Sequence, residues 1–144
     1  MGLMAQVLLI AAIWNIIPDV VPVHFDFTGN VDATGKKSDI LVLLFLSFGL
    51  YAGLSWLSTK TEHFNLPWKV REEDSEVQHT LARTFVSVLK AESVWILTLI
   101  VLQVVGVSLS LITKLNQVFT VGVVLITAAT ILVYFVVASR LSDA

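Results

Sequence analysis

Residues 115 to 139 read LNQVFTVGVVLITAATILVYFVVAS, 25 residues without one charged side chain. At 1.5 Å of rise per residue, about 20 helical residues cross the roughly 30 Å hydrocarbon core of a bilayer. Three more uncharged runs precede this one, Met1 to Pro18, Ile40 to Thr59 and Ser93 to Thr113, of 18, 20 and 21 residues. Within lipid the backbone must satisfy its own hydrogen bonds, which a helix does inside one segment. The runs are too uniformly apolar for the alternating strands of a barrel. The expected fold is therefore an all-α integral membrane protein with four transmembrane helices. Residues 1–144 form one membrane domain, with spans at about 1–17, 40–59, 93–113 and 117–139, an outer loop at 18–39 and a cytoplasmic connection at 60–92.

Composition agrees: 56% of the 144 residues are hydrophobic and 14% charged, with a mean hydropathy of +0.86. A soluble enzyme domain is excluded on these numbers. Nine scattered Lys and Arg with a net charge of -2 provide no basic face for nucleic acid. With no cysteine, disulfides, thiol catalysis, iron–sulfur clusters and Cys-based zinc sites are excluded as well. No cation precedes the first run, which is therefore read as a span rather than a signal peptide.

Cationic side chains set the expected orientation. Lys60, Lys69, Arg71, Arg83, Lys90 and Arg140 fall on the side of the termini and the second connection, against Lys36, Lys37 and Lys114 on the other. By the positive-inside tendency both termini face the cytoplasm of a multi-pass cell-membrane protein, and the first connection faces outward.

The spans carry no ionisable group near their centres, which argues against a proton-coupled pump. Gln103, midway along the third run, is read as the main deep polar side chain, suited to an interhelical hydrogen bond or a ligand contact. Gly49 and Gly53 form a GxxxG on the second span, and Gly106 with Ser110 a small-residue stripe on the third; both suit close helix packing.

The second connection opens with His63-Phe64-Asn65-Leu66-Pro67-Trp68, and Glu72, Glu73, Asp74 and Glu76 then supply an acidic first helical turn. Val77, Leu81, Phe85 and Val88 follow at helical spacing as an apolar stripe. The pattern fits one long helix running into the third span, an interfacial helix anchored by Trp68, Lys69 and Arg71, or a solvated linker. His63 and His79 have no ligand-spaced partner and are read as surface residues.

The first connection alternates from Val21 to Thr28. Val21, Val23, Phe25 and Phe27 point one way, and Pro22, His24, Asp26 and Thr28 the other. Pro18 and Pro22 keep it out of helix, and Gly29-Asn30 and Gly35 permit sharp turns. His24 with Asp26 and Asp32 forms a sparse metal or acid–base constellation. Hydrogen bonding of these groups to the loop's own backbone is the simpler reading.

The pattern Pro18, Asp19, Pro22, His24, Phe25, Gly29, Asp32 and Lys37, immediately after a first hydrophobic span, resembles the membrane domain that opens SdpI-like proteins. These form the immunity family for a sporulation-delaying peptide toxin. The resemblance runs over about residues 13–95, with Asn65, Pro67, Gln78 and Arg83 in similar places. It implies an integral membrane protein that protects its producer from a membrane-active toxin and, in the founding member, recruits a transcriptional repressor to the membrane. The founder's additional C-terminal membrane domain is expected to be absent.

Three functions follow as expectations. In the first, an immunity or sensor protein meets a peptide toxin through Pro22, His24, Phe25, Asp26, Gly29, Asp32 and Lys37 and reports to a cytoplasmic regulator through the helix at 72–90. It needs no metal and no cofactor. The second is an accessory subunit of a larger membrane complex, packing on partner helices through Gly49, Gly53, Gln103, Gly106 and Ser110. The third, a small membrane enzyme using His24 with Asp26 or Asp32, lacks a second catalytic constellation, so the chain is read as a non-enzyme.

Overall fold

A computed structural model describes residues 2–61, 64 and 74–143. It contains helix α1 (Gly2–Ile13) continuing as a 3-10 turn (Trp14–Ile16), strands β1 (Val20–Phe25) and β2 (Val31–Lys36), a 3-10 turn (Lys37–Asp39), and helices α2 (Ile40–Ser58), α3 (Ser75–Ser108) and α4 (Gln117–Asp143). Three helical stretches, Lys37–Ser58, Ser75–Ser108 and Gln117–Leu141, are long and apolar enough to cross a membrane. The protein is thus an integral membrane protein whose apolar helices contact lipid. Four crossings were expected, but the first apolar helix, Gly2–Ile16, belongs to a shorter class. Pro18 accounts for its end: the ring disfavours helix at the residue before it, and Ile17 is extended at φ -69 and ψ 130.

The expected all-α fold also gains a two-stranded antiparallel sheet. The first connection is a hairpin closed at its base by Lys37 N–H donating to the Asp19 carbonyl at 2.9 Å. The alternation predicted for Val21 to Thr28 does not hold, because each strand carries an extra residue. Register slips between Pro22 and His24 and between His24 and Phe25, leaving Val23 on β1 and Asp32 on β2 without a partner across the ladder. Val21 and Pro22 are both buried, whereas Val23 and Phe27 are exposed.

Helix α3 organises the remainder, packing on α1, α2, α4 and β1. Towards its C-terminal end, Val101, Val104 and Val105 join Ile10, Ile17, Val21 and Ile40 in one core, with Trp14, Phe25 and Leu43 against it. At its other half, Ala82 packs with Tyr134 and Ala138 of α4, and the Phe85 and Tyr134 rings stack with centroids 4.1 Å apart. Of the readings open for residues 72–90, the part from Ser75 onward is one uninterrupted helix with the third span. Positions 62, 63 and 65–73, and with them the readings of His63, Pro67, Trp68, Lys69, Arg71, Glu72 and Glu73, lie outside the described residues. His79 is half-buried rather than a surface residue. Its Nδ1 lies 3.2 Å from the Thr61 carbonyl and its Nε2 3.0 Å from the Ser75 hydroxyl.

The last residues of the third apolar run, Leu109 to Thr113, form a turn. Ser110 therefore lies beyond the helix, at φ 58. The Gly106 carbonyl accepts from Leu111 and Ile112 at 2.8 and 3.2 Å, and a Cβ at Gly106 would come within 3.2 Å of Ile112. Gly106 and Ser110 thus shape a return turn, correcting their reading as a helix-packing stripe.

The hairpin tip rests on this α3–α4 turn. Leu115 N–H donates to the Gly29 carbonyl at 2.8 Å, and Gln117 Nε2 donates to the Phe27 carbonyl. Gly29 sits at φ +83, and a Cβ there would stand 2.5 Å from the Leu115 oxygen. Gly29→Ala should therefore lower stability by about 2 kcal/mol from backbone strain alone, with more from the collision. Thermal unfolding of the detergent-purified variant would show a loss no larger than the strain alone if the tip were undocked.

Candidate functional site

The candidate site is the hairpin and the crevice beneath it. Two features place its side chains: the slipped register and the tip turn. The slip leaves Asp32 unpaired in the ladder, and its carboxylate reaches the ring of His24, with Nδ1 2.6 Å from Oδ1. Both side chains are open to solvent, at 69% and 43% exposure. Nδ1 carries the proton towards the carboxylate, so Nε2 is the atom left to face a ligand.

Asp26 has a different task. Its Oδ1 accepts from the Thr28 N–H at 2.8 Å, the Thr28 hydroxyl at 2.7 Å and the Asn30 N–H at 2.9 Å. These bonds, that from the Thr28 hydroxyl foremost, hold its carboxyl below the ordinary value of 3.8. The carboxylate closes the tip turn as an Asx motif and does not share a site with His24 and Asp32. Among the described residues no group of three His, Cys, Asp or Glu is placed to hold a metal.

The other expected ligand residues divide between core and rim. Pro22 is buried, and Phe25 is half-buried against the core formed by α1, β1, α2 and α3. Gly29 is the docking point on Leu115. Lys37 places its ammonium 4.8 Å from the centre of the Trp14 ring, a cation–π contact joining hairpin base to α1. Below the hairpin, Pro22, Phe25, Ile40, Leu43, Ile100 and Val104 line a mostly apolar crevice of about 340 Å³. The alternation of the sequence could not signal this crevice, since it forms only where β1 meets α2 and α3.

The residues expected to pack helices also separate. Gln103 is five residues from the end of α3, and its Oε1 accepts from the Asn116 N–H at 2.8 Å. It secures the return turn instead of bridging two helices at mid-membrane. Gly49 and Gly53 are exposed, and a Cβ at either would meet nothing within 4 Å, so the GxxxG does not pack inside the chain.

Several buried polar residues escaped the charge-gap reading. Gln6 is fully buried with neither amide atom partnered among the described residues. Gln78 donates to the Ala138 carbonyl at 2.8 Å. Glu92, one residue before the third uncharged run, accepts from the Thr130 hydroxyl at 2.5 Å. A scan for amides and edge charges on apolar helices would have found all three.

The profile of a family described as a domain of unknown function (DUF1648) matches residues 1–48. This stretch comprises α1, the whole hairpin and the first half of α2. No curated protein and no solved structure matches the chain. The site is thus a hairpin cap on a helical membrane protein, similar over that stretch to this family.

Because the folded-state value of Asp26 lies below its ordinary one, its contribution to the tip is present above pH 3.8 and is lost as pH falls through the folded value. The protection factors of the Thr28 and Asn30 amides, exchange rates referred to the unstructured chain at the same pH, should fall on acidification in the wild type. In Asp26→Asn protection should already be low at neutral pH and should not change with acid; an equal acid response in both would remove the carboxylate from the turn.

Proposed function

We propose that the chain is a membrane-embedded immunity or sensor protein of the SdpI-like kind, binding a membrane-active peptide at its outward hairpin. The observation that carries this reading is the crevice of about 340 Å³ under a solvent-exposed hairpin. An amphipathic peptide has two needs that the hairpin meets. Its apolar side chains enter the crevice between β1, α2 and α3, and its backbone can pair with a free edge of the two-stranded sheet. The exposed His24–Asp32 pair supplies the polar contact. The profile match over residues 1–48 spans the hairpin together with the helices that frame it. Helix α3 runs without a break from the return turn under the hairpin to Ser75, which suits a report to a cytoplasmic regulator.

A second reading, an accessory subunit of a larger membrane complex, is favoured by the open GxxxG. Gly49 and Gly53 present an unobstructed small-residue groove on α2, beside exposed Phe45 and Trp56.

Two experiments test the proposal. An exposed ion pair adds little stability, so His24→Ala should accumulate normally while peptide binding or host protection weakens about tenfold, the equivalent of one good contact. Collapse of accumulation would make the pair structural, and unchanged protection would remove His24 from the site. Orientation is read in the cysteine-free chain by introducing Phe27→Cys at the fully exposed tip or Lys60→Cys after α2. A membrane-impermeant maleimide should label position 27 in intact cells and position 60 only after permeabilisation.

A further inference from the structure

At the end of the bundle away from the hairpin, a lipid-facing groove of about 250 Å³ lies between the start of α1, α2 and α3. Gly2, Leu3, Tyr51, Lys90, Val94 and Trp95 line it. A Cβ at Gly2 would come within 2.8 Å of Val94, so the glycine lets α1 close onto α3 and form one wall. Tyr51 and Trp95, 44% and 53% exposed, stand at the rim, where amphipathic aromatics favour the headgroup level.

Lys90 is the polar centre of this groove. Its ammonium donates to the Ser55 hydroxyl at 3.2 Å and lies 5.0 Å from the centre of the Tyr51 ring. Ser55 is one turn from the end of α2, which sets the ammonium at the bilayer interface. Among the described residues no carboxylate pairs with it. The nearest along α3, Glu92, is directed at Thr130 of α4, and positions two apart on a helix do not share a face. Among the described residues, a half-buried cation with a spare N–H donor therefore faces the groove without a counter-charge.

We infer that this groove binds the phosphate of an anionic phospholipid. The charge of Lys90 selects the headgroup, and the walls formed by Leu3 and Val94 receive the first part of an acyl chain. A lysine near a membrane surface adds attraction for anionic lipid worth about fivefold in affinity, and a point-charge ammonium is a common phosphate partner. This assignment is independent of the peptide reading, since it involves the opposite end of the bundle.

Native mass spectrometry of the full chain in a neutral detergent, with phosphatidylglycerol or phosphatidylcholine added, provides the test. The wild type and Lys90→Arg should retain one phosphatidylglycerol with about fivefold preference, as should Lys60→Gln. Lys90→Gln should bind the two lipids equally. Preference surviving in Lys90→Gln overturns the proposal, and displacement of the lipid by millimolar inorganic phosphate reassigns the site to a free anion. Should Lys90→Gln fail to fold, photoactivatable phosphatidylglycerol on the wild type decides. Crosslinks to the segments around Tyr51 and Trp95 support the site, and crosslinks confined to other helices overturn it.

Discussion

The arrangement outside the apolar helices depends on one backbone hydrogen bond, from Leu115 N–H to the Gly29 carbonyl. A two-stranded hairpin is marginal by itself in water, and this one has a proline in β1 and two register slips. It is held by its ends: β1 buries Val21 among Ile10, Ile40 and Val101, and the tip sits on the α3–α4 turn. Close approach at the tip requires a residue without a Cβ and with positive φ, and Gly29 is both. The turn beneath is fixed in its own right by Gln103 on Asn116 and by Asn116 capping the Phe119 N–H at 3.2 Å.

How much of this was legible follows from the range of the forces involved. Solvation of long apolar runs is a local property, so α2, α3 and α4 follow from gaps between charges, and Pro18 announces the end of α1. Strand β2 was missed because Val31-Asp32-Ala33-Thr34-Gly35-Lys36 has no alternation and little β propensity; it is a strand because β1 is beside it. The alternation in β1 was real in the sequence yet misleading, since the extra Val23 turns its side chain away from the core. Among the site residues, the pairing of His24 with Asp32 rather than Asp26 turned on that same slip. Gln103 looked like a mid-membrane residue only because the run around it continued five residues past the helix. Lys90 and Glu92, at the edge of an uncharged run, acquire their surroundings from α2 and α4.

Helix α3 joins two assemblies of different character. Its C-terminal half is buried by aliphatic packing against α1, α2 and β1, whereas α4 is fastened by aromatic stacking and a few polar contacts, Gln78 to Ala138 and Glu92 to Thr130. Interhelical hydrogen bonds in membranes average about 0.6 kcal/mol, so the α3–α4 contact is the weaker of the two. Displacements along α3 therefore meet less resistance where it packs on α4 than where it packs on α1, α2 and β1.

The tip contact also constrains the timing of assembly. Phe27 and Gln117, joined by a side-chain hydrogen bond, lie 90 residues apart in the chain. Because synthesis proceeds from the N-terminus, the hairpin emerges long before the turn on which it rests. During that interval two strands with free edges and an exposed Phe27 wait at the membrane surface, and β1 can bury Val21 only once α3 has arrived. Insertion of α4 is thus the step that completes the hairpin cap, so that a helix made some ninety residues later finishes the loop that follows α1.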